Sequence, residues 1–102
     1  MNDRIARCML LAKVLTADGM MTDAERDFLE SSMDSFGLTS EEKRAVRDLD
    51  DWHLAEPIVA ALSADEKRQF MDGLVTAVLA DGKVSPHEMS AIEKLSVALG
   101  IE

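Results

Sequence analysis

A chain of 102 residues, 47% hydrophobic and 30% charged, fits a single domain spanning 1–102 that buries its own core, and it excludes an intrinsically disordered polymer. The formal charge of -9 sets the chain against phosphate backbones and anionic lipid surfaces, so nucleic acid is not an expected partner, whereas cations and basic proteins are compatible. The single cysteine, Cys8, excludes an intrachain disulfide, and neither a signal-peptide pattern nor a run near the ~20 apolar residues of a membrane span is present, so a cytoplasmic setting without direct membrane insertion is expected.

In chain order, Ile5, Cys8, Met9, Leu11, Ala12 and Leu15 recur at spacings of three and four and predict a first helix over 3–17 with one broad apolar face. Asp18-Gly19 makes a corner. Thr22 and Glu25 form a T-x-x-E capping box, in which each side chain accepts a backbone amide of the helix start, and Phe28, Leu29, Met33 and Phe36 form the stripe of the second helix. Gly37 is expected as its left-handed stop, with Leu38 folded back on Met33. A second box, Thr39 and Glu42, opens a third helix with few large apolar residues beyond Val46 and Leu49, so that helix is expected to be largely exposed.

The stretch DDWHLAEP interrupts the pattern, and Pro57 is placed in the first turn of a short helix ending near Leu62. Ser63 and Glu66 cap the next helix, whose Phe70, Leu74, Ala77 and Val78 face the core until Asp81-Gly82 ends it. Ser85 and Glu88 repeat the box with Pro86 at the first helical position and Val84 set to staple Met89. Met89, Ile92, Leu95 and Leu99 complete the last stripe before Gly100 and Ile101.

A constant offset of 63 residues aligns the two ends of the chain. It carries Ala17-Asp18-Gly19 onto Ala80-Asp81-Gly82, Glu25 onto Glu88, Leu29 onto Ile92, Phe36 onto Leu99 and Gly37-Leu38 onto Gly100-Ile101. Each helical hairpin leaves an apolar face to be buried. The expected fold is therefore all-α, with two pseudo-symmetric hairpin halves packed about an approximate twofold axis and joined by two middle helices.

The corners admit three readings. Counted back from Glu25 as the twelfth position of a calcium loop, Asp18, Gly19 and Met21 fall where an EF-hand needs them, but Val14 and Thr16, and in the second copy Ala77 and Leu79, occupy positions that need carboxylates, so a true EF-hand is rejected. A purely local reading makes Asp18 and Asp81 turn residues and Glu25 and Glu88 capping partners; it leaves an aspartate at a helix carboxyl end, against the dipole, at about 0.3–1 kcal/mol. In the third reading the twofold brings both corners together, and Asp18, Glu25, Asp81 and Glu88 offer carboxylate oxygens to a hard divalent cation. Calcium or magnesium suits oxygen-only ligation, and His87 beside the second corner admits zinc or manganese as lesser alternatives.

Elsewhere RDLDDWH, Arg47 to His53, reads as a solvated helix end, and the methionines at 9, 33 and 89 as core filler. No serine or cysteine stands in a nucleophile motif, so no catalysis is expected.

The doubled pattern of ADG, an apolar residue, Ser or Thr, two residues and Glu, set between helices in both halves, resembles the tellurite-resistance TerB-like family of bacterial helical domains, related to the front domain of membrane-anchored DnaJ-type co-chaperones. The resemblance covers nearly the whole chain. It implies an all-α fold of two similar halves, an association with tellurite and other stress responses, and metal binding by acidic corner residues, which map here onto Asp18, Glu25, Asp81 and Glu88. The second corner departs from the pattern through Lys83, Pro86 and His87, and Lys83 would partly neutralise a shared acidic site. The expected function is a noncatalytic stress-response module that binds a divalent cation and docks to a protein partner. The alternative is a structural interaction domain whose corners only cap helices, and a metal-dependent hydrolase stands third.

Overall fold

The computed structural model describes residues 1–17, 19, 21–49, 51–79 and 86–100. Among these, six α-helices and no strand are found: α1 Asp3–Leu15, α2 Asp23–Ser35, α3 Ser40–Arg47, α4 Ala55–Ala60, α5 Ala64–Val78 and α6 Pro86–Ala98, with a 3₁₀ turn at Trp52–Leu54 leading into α4. Three capping boxes stand where the sequence places them, at Thr22/Glu25, Thr39/Glu42 and Ser63/Glu66, each with both reciprocal hydrogen bonds. Asn2 caps α1 by accepting the amide of Ile5 at 2.9 Å. Ser85 and Val84 of the fourth start lie outside the described residues.

The stop at the end of α2 is a Schellman ending. Gly37 adopts φ +69°, the Leu38 amide donates to the Met33 carbonyl at 3.1 Å and the Gly37 amide to Asp34 at 3.0 Å. At the end of α6 the Gly100 amide makes the equivalent bond to Val97 at 3.1 Å. The turn after α3 has no glycine to relieve it, so Leu49 and Asp51 themselves take left-handed backbone, each with φ 55°.

The repeat is written into the packing. α2 and α6 have the same length and the offset of 63 maps one onto the other. The buried set of α1, Cys8, Leu11, Val14 and Leu15, maps onto the buried set of α5, Met71, Leu74, Ala77 and Val78. Each hairpin closes on itself, α1 on α2 and α5 on α6, and the cross-contact of α2 with α5 has its counterpart in that of α6 with α1. One pair of hydrogen bonds repeats too: Arg4 Nη1 donates to the Phe36 carbonyl at 3.3 Å, and Lys67 Nζ donates to the Leu99 carbonyl at 3.0 Å. In both halves, a basic side chain from the first turn of one helix caps the carboxyl end of the next.

The symmetry breaks at α1. Met9 and Ala12 are buried as the predicted face requires and Leu10 is buried beyond it, because α3, the 3₁₀ turn and α4 cover a face of α1 for which α5 has no cover. Val46, Ala55 and Val59 supply the covering side chains, all fully buried. The rest of α3 is exposed or half-buried, as its sequence predicts. On α5 the residues matching Leu10, Ala12 and Thr16 are Gly73, Val75 and Leu79, and the last two are exposed. Gly73 has neither a positive φ nor an atom within 4 Å of where a Cβ would stand, so neither backbone nor crowding calls for glycine there. In mid-helix it is about 1 kcal/mol less favourable than alanine.

One sequence expectation fails. Met89 is 46% exposed, whereas Glu88, Ile92, Leu95 and Leu99 are buried. These recur at four, three and four positions along α6, and Met89, about 100° round the helix from Glu88, turns away from the face they define. Phe28, Phe36 and Phe70 pack against the core at its margin and remain half-buried.

Candidate functional site

Glu25 occupies the third position of α2 and is 2% exposed, although its neighbours Asp23, Ala24 and Arg26 are not buried. Oε1 accepts the Thr22 amide at 3.0 Å, and the Glu25 amide donates to Thr22 Oγ1 at 3.1 Å. The box therefore accounts for one carboxylate oxygen. Oε2 is buried with no hydrogen-bond partner among the described residues. Leaving a buried acceptor unmatched costs about 1–3 kcal/mol, and more for a charged group. Glu42 and Glu66 serve the same capping role but stay partly exposed, so water can complete their hydrogen bonding.

Glu88 takes the matching third position of α6 and is also buried, at 4%. Asp18 and Asp81, the aspartates of the two corners, lie outside the described residues, as do Gly82 and Lys83. Among the described residues no group of three or more His, Cys, Asp and Glu is arranged to hold a metal ion. The two described members of the predicted set share one property that the sequence pattern alone did not reveal: both carboxylates are withdrawn from water.

A cleft of about 420 Å³ is lined by Lys13, Val14 and Ala17, at the end of α1, and by His87, Ser90 and Lys94, along the start of α6. Ala17 adjoins the first corner and His87 adjoins Glu88. His87 is exposed, so the cleft holds an accessible imidazole, and its acidic lining residue is Glu56.

One wall of this cleft is organised by contacts that sequence inspection missed. Lys13 Nζ sits 3.0 Å from the centroid of the Trp52 ring, within cation–π range. Burial pushes the Lys13 ammonium below its ordinary pKa, with Glu56 opposing that shift and Lys94 adding to it. The tryptophan in DDWHLAEP is thus a platform for a lysine 39 positions earlier, and no local signal connects them. Arg7 was missed in the same way: its Nη2 donates to Asp3 Oδ2 at 3.2 Å and to Glu66 Oε2 at 2.9 Å, tying the starts of α1 and α5 together. Cys8 is buried and its thiol is pushed up to about 12 by desolvation, with Arg7 opposing, which removes it as a nucleophile near neutral pH.

A duplicated helical hairpin with a buried carboxylate at the third residue of each second helix defines the class: a two-fold repeated all-α domain. The family model of tellurite resistance protein TerB matches residues 4–102, and the chain belongs to that family. Neither a curated protein nor a solved structure matches the chain. No helix among the described residues is long and apolar enough to cross a membrane.

Proposed function

We propose that this chain is a noncatalytic, cytoplasmic module of bacterial stress response that binds a divalent cation through Glu25, Glu88, Asp18 and Asp81 and docks to a protein partner. The carrying observation is the buried, unpartnered Oε2 of Glu25. A hard cation is the ligand that would repay this desolvated oxygen, and an oxygen donor set favours calcium or magnesium over zinc or manganese. The negative dipole ends of α1 and α5 at the corners favour a cation there and oppose an isolated aspartate. Membership of the TerB family supports the stress-response role. A noncatalytic role is supported by the Cys8 thiol, held protonated near neutral pH.

The second reading, a structural interaction domain without a metal, is favoured by the boxes at Thr39/Glu42 and Ser63/Glu66, which cap helices with no ligand. Calorimetric titration of calcium, magnesium, manganese and zinc separates the two. The cation reading expects saturable heat with at least one ion and a weakened isotherm in both Asp18→Asn and Asp81→Asn. Silence in the wild-type protein, or an isotherm indifferent to both changes, leaves the structural reading.

A further inference from the structure

A second cavity, of about 330 Å³, opens between α1, α2 and α5, away from the α6 side of the corner cleft. All three phenylalanines of the chain, Phe28, Phe36 and Phe70, line it. Its one charged lining residue is Arg7, and no acidic side chain faces it. The volume is within the range of small-molecule sites, which combine apolar walls with a few convergent polar groups.

Gly73 and Ser32 are small residues in the lining of this cavity, and a Cβ at Gly73 would meet nothing within 4 Å. Neither backbone conformation nor crowding calls for that glycine. Across the offset of 63 the two correspond to Leu10 and Leu95, which line the other cleft.

Arg7 specifies the head group. Its side chain is 17% exposed and lies 6.0 Å from the Phe36 ring centroid. Both of its hydrogen bonds leave from Nη2, and Nε is buried with no partner among the described residues. Asp3 and Glu66, which take Nη2 at 3.2 and 2.9 Å, offset much of the charge but do not line the cavity. What Arg7 offers a ligand is a donor edge still without an acceptor, which suits a planar carboxylate. We infer that the cavity between α1, α2 and α5 binds a small apolar carboxylate, its tail among Phe28, Phe36 and Phe70 and its head on Arg7. The inference is independent of the cation reading.

Octanoate, octanol and octylamine are the probes, titrated into the full chain with and without EDTA and followed by calorimetry and by the aromatic ring signals in NMR. Octanoate is expected to bind, to shift all three phenylalanine rings and to be indifferent to EDTA, with octanol at least tenfold weaker and octylamine silent. Shortening to hexanoate should cost about fourfold per methylene removed. Gly73→Leu and, separately, Ser32→Leu put a leucine into the lining and should each weaken octanoate at least tenfold, with circular dichroism verifying the fold. Arg7→Met should bring octanoate down to the level of octanol. No ring shifts with octanoate, equal binding of octanoate and octanol, or full affinity in a folded Gly73→Leu or Ser32→Leu protein would overturn the inference.

Discussion

Exchanging Glu25 for glutamine isolates the one oxygen on which the cation reading depends. Glutamine keeps the shape and the Oε1 acceptor, so the 3.0 Å bond from the Thr22 amide survives. What disappears is the charge, and the second oxygen gives way to an amide nitrogen buried in its place. In chelator-treated protein the change exchanges a buried charge for a neutral amide and sacrifices no cap, so Glu25→Gln should be as stable as the wild type or more stable. With the cation at about 100 times its dissociation constant, the wild type should gain about 2.7 kcal/mol, which on a domain of this size is a Tm rise of roughly 10–20 °C. The variant should gain almost none, so the order of stability inverts between EDTA and metal. Thermal denaturation by circular dichroism in both conditions reads the inversion directly, and Glu42→Gln, the same substitution in an exposed box, should respond to metal as the wild type does. A metal-induced rise of equal size in Glu25→Gln, or a large loss of stability in that variant under EDTA, would refute the reasoning.

Two further outcomes follow from burial. Cys8, with its thiol raised to about 12 in the fold against an ordinary value of 9.0, should resist thiol reagents at pH 8 until the protein is unfolded in urea. Since the raised value favours the protonated fold, its contribution to stability is complete below about pH 9 and is lost as pH climbs towards 12, which urea titrations across that window will register. Met33→Ala, at a fully buried site, should cost about 2–5 kcal/mol, while Met89→Ala on the exposed side of α6 should stay within about 0.5 kcal/mol, both measurable by urea denaturation.

Helix starts and stops were legible because they are local. A threonine or serine and a glutamate three residues on satisfy each other's amides whatever surrounds them, and Gly37 closes α2 through bonds spanning only five residues. The internal repeat was equally legible, since both copies retain their corners and stripes. What escaped was set by the third dimension. The stripe rule named Met9 and Ala12 on the face of α1 but not Leu10, whose burial depends on a cover of α3 and α4 that arrives from much later in the chain. Met89 was placed on the core stripe because it is apolar; geometry preferred the position before it, and that position is a glutamate. Among the site residues, the sequence pointed to Glu25 and Glu88 by their place in the repeat but not to their withdrawal from solvent. Lys13 on Trp52 and Arg7 on Glu66 had no readable signal, because each joins positions distant in sequence. Gly73 did carry one, a glycine inside a long helical pattern, but its place in the lining of a cavity appears only once the helices are packed.

The central place of α1 also sets a timing problem during synthesis. Of the six helices, α1, with the most buried side chains, is made first, and its last covering partner, α6, is made last. At ~5–20 residues per second, the nascent chain carries that sticky rod partly uncovered for several seconds. The contacts that finish its burial also close long loops, which slows the last step of folding. Protection of α1 in that interval, by transient pairing with α2 or by a holding chaperone, decides how much of each newly made chain reaches the finished bundle.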